Sequence, residues 1–451
     1  MNQAPHTVKH GNTALLISIL LISLLFSSLF GCTKTAEPTQ DSETASTLPI
    51  REQIKANHVA IAYAAYSDSL TTAKQLQGTI NAFLNDPTEA TLANAKAAYK
   101  EARKPYQQSE LMRWDTDITL LSDTGLEGIK SVDEWEGQVN AWPLDESLID
   151  YVDNGKGNTT PGYIISSDLS ITEELLTSSN GSEVNGLTGD AAEANVATGI
   201  HAIEFLLWGQ DLNGTGAGAG ARPASDYDLK SCTNNYCDRR RQYLSTVTNL
   251  YVNDLRAMVA EWSPEAAKTP GTLAHNFLNS PLALDSMLLS MRIMATDELG
   301  SARMGSGLTL LDTEEEHDCF SDLSHIAIYH NFQGVKNSFY GEYSSPVDQR
   351  KISGASFADY LKNKGEPIFT KIDSALKLID ANMTALLELG ERNPPLRFDQ
   401  IIGQGNTQPP GPEFKIANET SLMLTQLDRH FEDARMLLSL AELSTASGDG
   451  D

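Results

Sequence analysis

The chain has 451 residues, with 60 Asp or Glu against 33 Lys or Arg and a formal charge of -27. That balance excludes a nucleic-acid binder, which needs clustered cations to displace counterions from phosphate. Apolar residues at 40% and charged residues at 21% suit a chain that buries a core, and the length allows about two or three domains.

The first 31 residues read as an export signal rather than as part of the fold. Lys9 and His10 precede an apolar run from Ala14 to Phe30, interrupted only by small serines. The order is basic, apolar, small. Leu29-Phe30-Gly31-Cys32 resembles a bacterial lipobox, which implies cleavage after residue 31 and lipidation of Cys32. Thr33 follows the cysteine, and by resemblance to sorted lipoproteins this favours the outer membrane. An uncleaved membrane anchor is the other reading, since the run is close to the shortest spanning length. Both export the domain. Residues 32–49, rich in Thr, Ser, Glu and Pro, are expected to form a flexible tether.

From Ile50 the apolar spacing is helical. Helices are predicted over Ile54–Phe83 and, after the Asp86-Pro87 break, over Thr88–Trp114, with Thr88 as N-cap and a kink or reset at Pro105. Asn185–Trp208, Arg239–Trp262, Ser280–Leu311, Ile326–Tyr340, Phe357–Leu389 and Ile416–Leu443 follow. Alternating strand-like runs are scarce. The expectation is an all-α protein of two helical bundles, residues 50–220 and 221–445, with a disordered tail at 446–451. The glycine-rich stretch within Gly209–Asp238 marks the boundary. It lacks the Gly-Lys-Ser/Thr ending of a phosphate loop. A second long loop, Arg392–Pro412, carries five prolines.

An exported chain favours a disulfide between Cys232 and Cys237 over two free thiols, while Cys319 stands alone as a small apolar filler. The sharpest local signal is Gly199-Ile200-His201-Ala202-Ile203-Glu204. On a helix, His201 and Glu204 project from one face, so they can reach a single metal ion or share a proton. The surrounding residues are apolar nearly all round, so the helix is expected to be buried, and a buried carboxylate needs a partner. The plain alternative is a His and a Glu bonded to each other inside a packed core.

Several segments in order resemble the imelysin-like family. They are Gly199–Asp211, with Gly-x-His-x-x-Glu; Arg222-Pro223 with Asp226-Tyr227 and Arg239–Leu244; Glu315–Asp322 with His325; and Phe398-Asp399-Gln400. The third is similar to the branch named after iron-regulated protein A. The resemblance covers Ile50 to about Leu443. It implies two bundles with a functional cleft at their interface, built around Gly199, His201 and Glu204, and a role in iron acquisition at the bacterial cell envelope. Other envelope iron-uptake proteins are the implied partners, besides the membrane that holds the lipid. The family takes its name from an insulin-cleaving metallopeptidase, so a zinc-dependent peptidase is the alternative.

The chain has no His-Glu-x-x-His, which would place two zinc ligands and a base on one helix. Further ligands must come from elsewhere. The acidic segment supplies Glu316, Asp322 and His325, the last two sharing a face if a helix starts at Ser321, and Glu110 stands at an earlier helix end. Carboxylate and imidazole donors suit iron or zinc better than copper(I). The acidic run is equally readable as a solvated helix start. A binding protein without catalysis is favoured over the peptidase.

Overall fold

The computed structural model describes residues 48–115, 118–120, 137–154, 156 and 158–445. The expected signal segment 1–31, the lipidation site Cys32, the tether as far as Thr47 and the tail 446–451 lie outside the described residues. The longer helices are α1 (Ile50–Asn85), α2 (Glu89–Ser109), α3 (Gly199–Trp208), α4 (Cys237–Trp262), α5 (Ala283–Ile293), α6 (Ser324–Tyr340), α7 (Phe357–Glu391) and α8 (Pro412–Leu438). Among the described residues, β structure is confined to three two-stranded antiparallel ribbons, one of them joining Ile118–Leu120 to Leu443–Thr445. The fold is all-α. No helix among the described residues is long and apolar enough to cross a membrane.

Local chemistry sets most helix ends. The Asp86-Pro87 break stops α1, and the Thr88 hydroxyl caps α2 by accepting from Thr91 N at 3.3 Å. Helix α2 runs through Pro105 to Ser109 and then tightens into a 3-10 turn, Glu110–Asp115, so the helix expected to Trp114 is shorter. The helix expected from Asn185 begins only at Gly199, because Asn185, Gly186 and Gly189 adopt positive φ. The single helix expected over Ser280–Leu311 is interrupted by wide π-type turns, Met294–Ser306, where the Gly300 carbonyl accepts from Ser421 Oγ of α8 at 2.7 Å. Inside the proline-rich loop, Phe398–Gly403 forms a short helix.

Helix α1 packs on α2 and α4, α6 lies against both α2 and α7, and α8 packs on α7 and the π-type turns. One apolar core extends from Ile54 to Leu440, and the described residues from Leu48 onward belong to one compact unit. The expected division into two bundles at 220/221 is therefore not confirmed. Helix α3 lies deep in this core, with all ten of its residues buried. Ile200, Ile203, Phe205, Leu206 and Leu207 each contribute about 1.5–3 kcal/mol by leaving water. That packing is what holds His201 and Glu204 in place.

Candidate metal centre

Gly199 opens α3 at φ +82°, and a Cβ there would lie 2.7 Å from the Val139 carbonyl oxygen. Only glycine tolerates both the conformation and the approach. The helix then brings His201 Nδ1 to 2.9 Å from Glu204 Oε2, the contact expected from the three-residue spacing. Tyr99 of α2 donates its hydroxyl to Glu204 Oε2 at 3.1 Å, while Ser321 donates its backbone N–H at 3.0 Å and its hydroxyl at 2.6 Å to Oε1. Both carboxyl oxygens are thus engaged.

Asp318, from the turn preceding α6, completes the group. One ligand atom from each of His201, Glu204 and Asp318 lies within 4.8 Å of the others. Their exposures are 1%, 0% and 0%. Arg103 of α2, itself fully buried, donates Nη2 to Asp318 Oδ2 at 3.0 Å and Nη1 to Asn140 Oδ1 at 2.8 Å. Its Nε lies 2.7 Å from Asp318 Oδ1 at an angle unsuited to a hydrogen bond. Asp318 N donates to Ser324 Oγ at 2.9 Å, which anchors the turn to the first residue of α6.

Burial, reinforced by the Arg103 charge, holds the His201 imidazole down to about 3, so it is neutral. Burial, followed by repulsion from Asp318, pushes the Glu204 carboxyl up to about 8. His201 Nε2 is buried and has no hydrogen-bond partner among the described residues. The His317 ring stands edge-on to His201, centroids 4.7 Å apart, and its Nε2 is likewise buried without a partner. Two orphaned imidazole nitrogens in touching rings fit a bound cation, because buried polar atoms are otherwise nearly always satisfied.

The other sequence candidates fall into separate groups. Glu110 is saturated: its oxygens accept from Arg303, Asn331 and Asn140, which ties it into a buried ion-pair network. His325 Nε2 meets Glu391 Oε1 at 2.9 Å and Arg397 Nη1 at 2.7 Å. Asp322 does not share a helical face with His325, because α6 starts at Ser324 and Asp322 takes φ +54°. Instead, Asp322 groups with Asp211 and Asp399. Glu316 is buried beside that second group, with Oε2 unpartnered among the described residues. Cys232 and Cys237 form a disulfide, and Cys319 is free and half-buried.

Sequence reasoning missed Tyr99, Arg103 and Ser321, and it left Asp318 out of the ligand set. One signal was present: Arg103 lies one turn beyond Tyr99 on the apolar stripe of α2, where an arginine must find an acid. The block around Arg222 serves a different purpose. Arg222 and Arg240 both donate to Asp150, at 2.6 and 2.5 Å, in a buried network with Asp226. There the cost of burial is outweighed by Arg222 and Arg240, and the Asp150 carboxyl is held below the usual range.

An all-α chain with a buried His–Glu–Asp group is the class that the fold and site define. The family model described as Imelysin matches residues 62–409, so the chain belongs to the imelysin family. No curated protein matches it. Among solved structures, it is similar to a protein from Parabacteroides distasonis described as an iron-regulated protein A precursor. The TM-score is 0.56 at 17% identity, with 87% of this chain and 97% of that chain covered. At that identity the likeness speaks for the fold.

Proposed function

We propose that this imelysin-family protein is a non-catalytic metal-binding lipoprotein of the bacterial cell envelope, serving iron acquisition or homeostasis through an ion held by His201, Glu204 and Asp318. The observation that carries the reading is the buried grouping of His201, Glu204 and Asp318, with one ligand atom from each within 4.8 Å of the others. Iron or zinc suits one imidazole and two carboxylates. The link to iron rests on the description of the Parabacteroides distasonis protein.

The chain's own residues divide the work. Arg103 pins Asp318, Ser321 and Tyr99 orient the Glu204 carboxyl, and Glu204 holds the His201 ring through Nδ1. A divalent ion would supply a fixed positive charge where the Glu204 proton otherwise sits. Hydrolysis needs in addition an open coordination position, an activated water and a base. Glu204 is engaged at both oxygens, and all three candidate ligands are sealed from solvent, which favours a binder over the zinc peptidase.

The test incubates the purified protein with unfolded substrates and added zinc, and measures its expression under iron limitation and excess. The reading expects more protein when iron is scarce and no cleavage above a His201→Ala control. Chelator-sensitive cleavage that disappears in that variant would establish the peptidase. For the anchor, Cys32→Ala is expected to leave an unprocessed precursor or to release the domain from the outer-membrane fraction. Unchanged processing together with unchanged fractionation contradicts lipidation.

A further inference from the structure

A second set of acids lies beside the first. Asp211 follows α3 in the loop after Trp208, Asp322 sits in the turn before α6, and Asp399 lies in the short helix Phe398–Gly403. One carboxylate oxygen from each lies within 4.8 Å of the others. Asp322 and Asp399 are 2% and 1% exposed. Among the described residues, Asp322 Oδ1 has no hydrogen-bond partner, and the Asp399 carboxyl is met only by the backbone N–H groups of Gln400 and of Asp399 itself. Asp211 is half-buried and accepts from Asn213 N at 2.9 Å and Asn213 Nδ2 at 2.7 Å, both through Oδ1. Glu316 adds a fourth buried carboxylate, and of the charges around it Asp322 and Asp399 act on it most strongly.

Arg397, whose charge reaches both Asp322 and Asp399, spends Nη1 on His325 and Glu391. Buried carboxylates without a cationic partner are costly, so they hold protons or bind a cation, and a cation that displaces the protons removes the cost. Three oxygen donors from three separate segments, with no nitrogen or sulfur among them, match a hard ion that gathers carboxylates and water. The half-exposed Asp211 gives such an ion a route to solvent.

We propose that Asp211, Asp322 and Asp399 form a second cation site, separate from the His201 centre, that takes a hard divalent ion through oxygen donors, with Glu316 as an adjoining carboxylate. The His201 group offers nitrogen and suits a transition metal. The aspartate group is selective for calcium or manganese. Occupation of this site removes the repulsion among the carboxylates and ties the turn before α6 to the proline-rich loop.

The experiment titrates chelator-stripped mature protein with Ca2+, and separately with Mn2+, by calorimetry, using wild type, Asp322→Asn, Asp399→Asn and His201→Ala. Expected is a Ca2+ or Mn2+ site that His201→Ala leaves within about threefold and that each Asn variant weakens at least about 100-fold. Thermal melts guard against misfolding. Each ion-free Asn variant is expected to melt no lower than wild type, since it removes an unpaired buried charge, while the upward shift produced by the ion disappears. The inference is overturned if neither ion binds, if binding survives both Asn substitutions, or if it vanishes in His201→Ala.

Discussion

Glu204→Gln separates a metal centre from a merely packed His–Glu pair. The amide is isosteric with the carboxyl, and its orientation is fixed. Ser321 N and Oγ both donate to the Oε1 position, so the amide oxygen stays there and the NH2 group takes the Oε2 position. That group now donates toward Tyr99 Oη, 3.1 Å away, and His201 Nδ1, 2.9 Å away. The tyrosine hydroxyl turns to accept. Nδ1 must accept as well, which takes the lone pair of that nitrogen away from an ion shared with residue 204. One anionic ligand and one imidazole ligand are lost together. At about 10–100-fold for a residue that supports a ligand, the combined loss is at least about 100-fold, or about 2.7 kcal/mol. The metal-free variant is expected to be at least as stable as wild type at neutral pH, because the Glu204 carboxyl, pushed up to about 8, must take up on folding a proton that the unfolded chain has released. The assay is competition against a chromophoric chelator for Zn2+, paired with nitrogen NMR of the His201 ring. Wild-type affinity in a folded Glu204→Gln protein would refute the reasoning.

Two further outcomes follow from the same network. Arg103→Met strands Asp318 in a fully buried position and is expected to cost about 3–5 kcal/mol by chemical denaturation; a loss under about 1 kcal/mol would mean that Asp318 finds another partner. The ion must displace the Glu204 proton, so affinity is expected to rise about tenfold per pH unit up to about pH 8 and then level off, whereas a pH-independent affinity between 6 and 8 contradicts the ligand role. The sign for stability is opposite. The folded carboxyl keeps its proton up to about pH 8 while the unfolded chain releases it near 4.5, so its contribution is complete below 4.5 and is lost as pH rises through 8. Metal-free wild type is therefore expected to lose stability relative to Glu204→Gln between about pH 4.5 and 8 and to change little above that.

The all-helical class and the His201–Glu204 contact were legible because both depend on spacing along one element. Three-residue separation on an apolar helix fixes the pair's geometry wherever that helix lands. Asp318 was harder to place, because its role depends on Arg103 arriving from α2, more than two hundred residues earlier in the chain. The same limit misplaced Asp322. The acidic run suggested an early helix, but a left-handed turn at Asp322 points it toward Asp211 and Asp399, which no local pattern connects. The helix expected from Asn185 failed because tertiary packing and positive-φ residues delayed its start to Gly199. Glu110 stood at a helix end as read, yet Arg303 and Asn331 from distant segments claim its oxygens.

The most direct measurement is anomalous diffraction from crystals grown with Zn2+, collected on both sides of the metal edge. The central expectation is one peak about 2.0–2.2 Å from a ring nitrogen of His201 and from one oxygen each of Glu204 and Asp318. A clean map at that position, with His201 Nδ1 still bonded to Glu204, would show the trio to be a structural hydrogen-bond group and remove the basis for metal binding there.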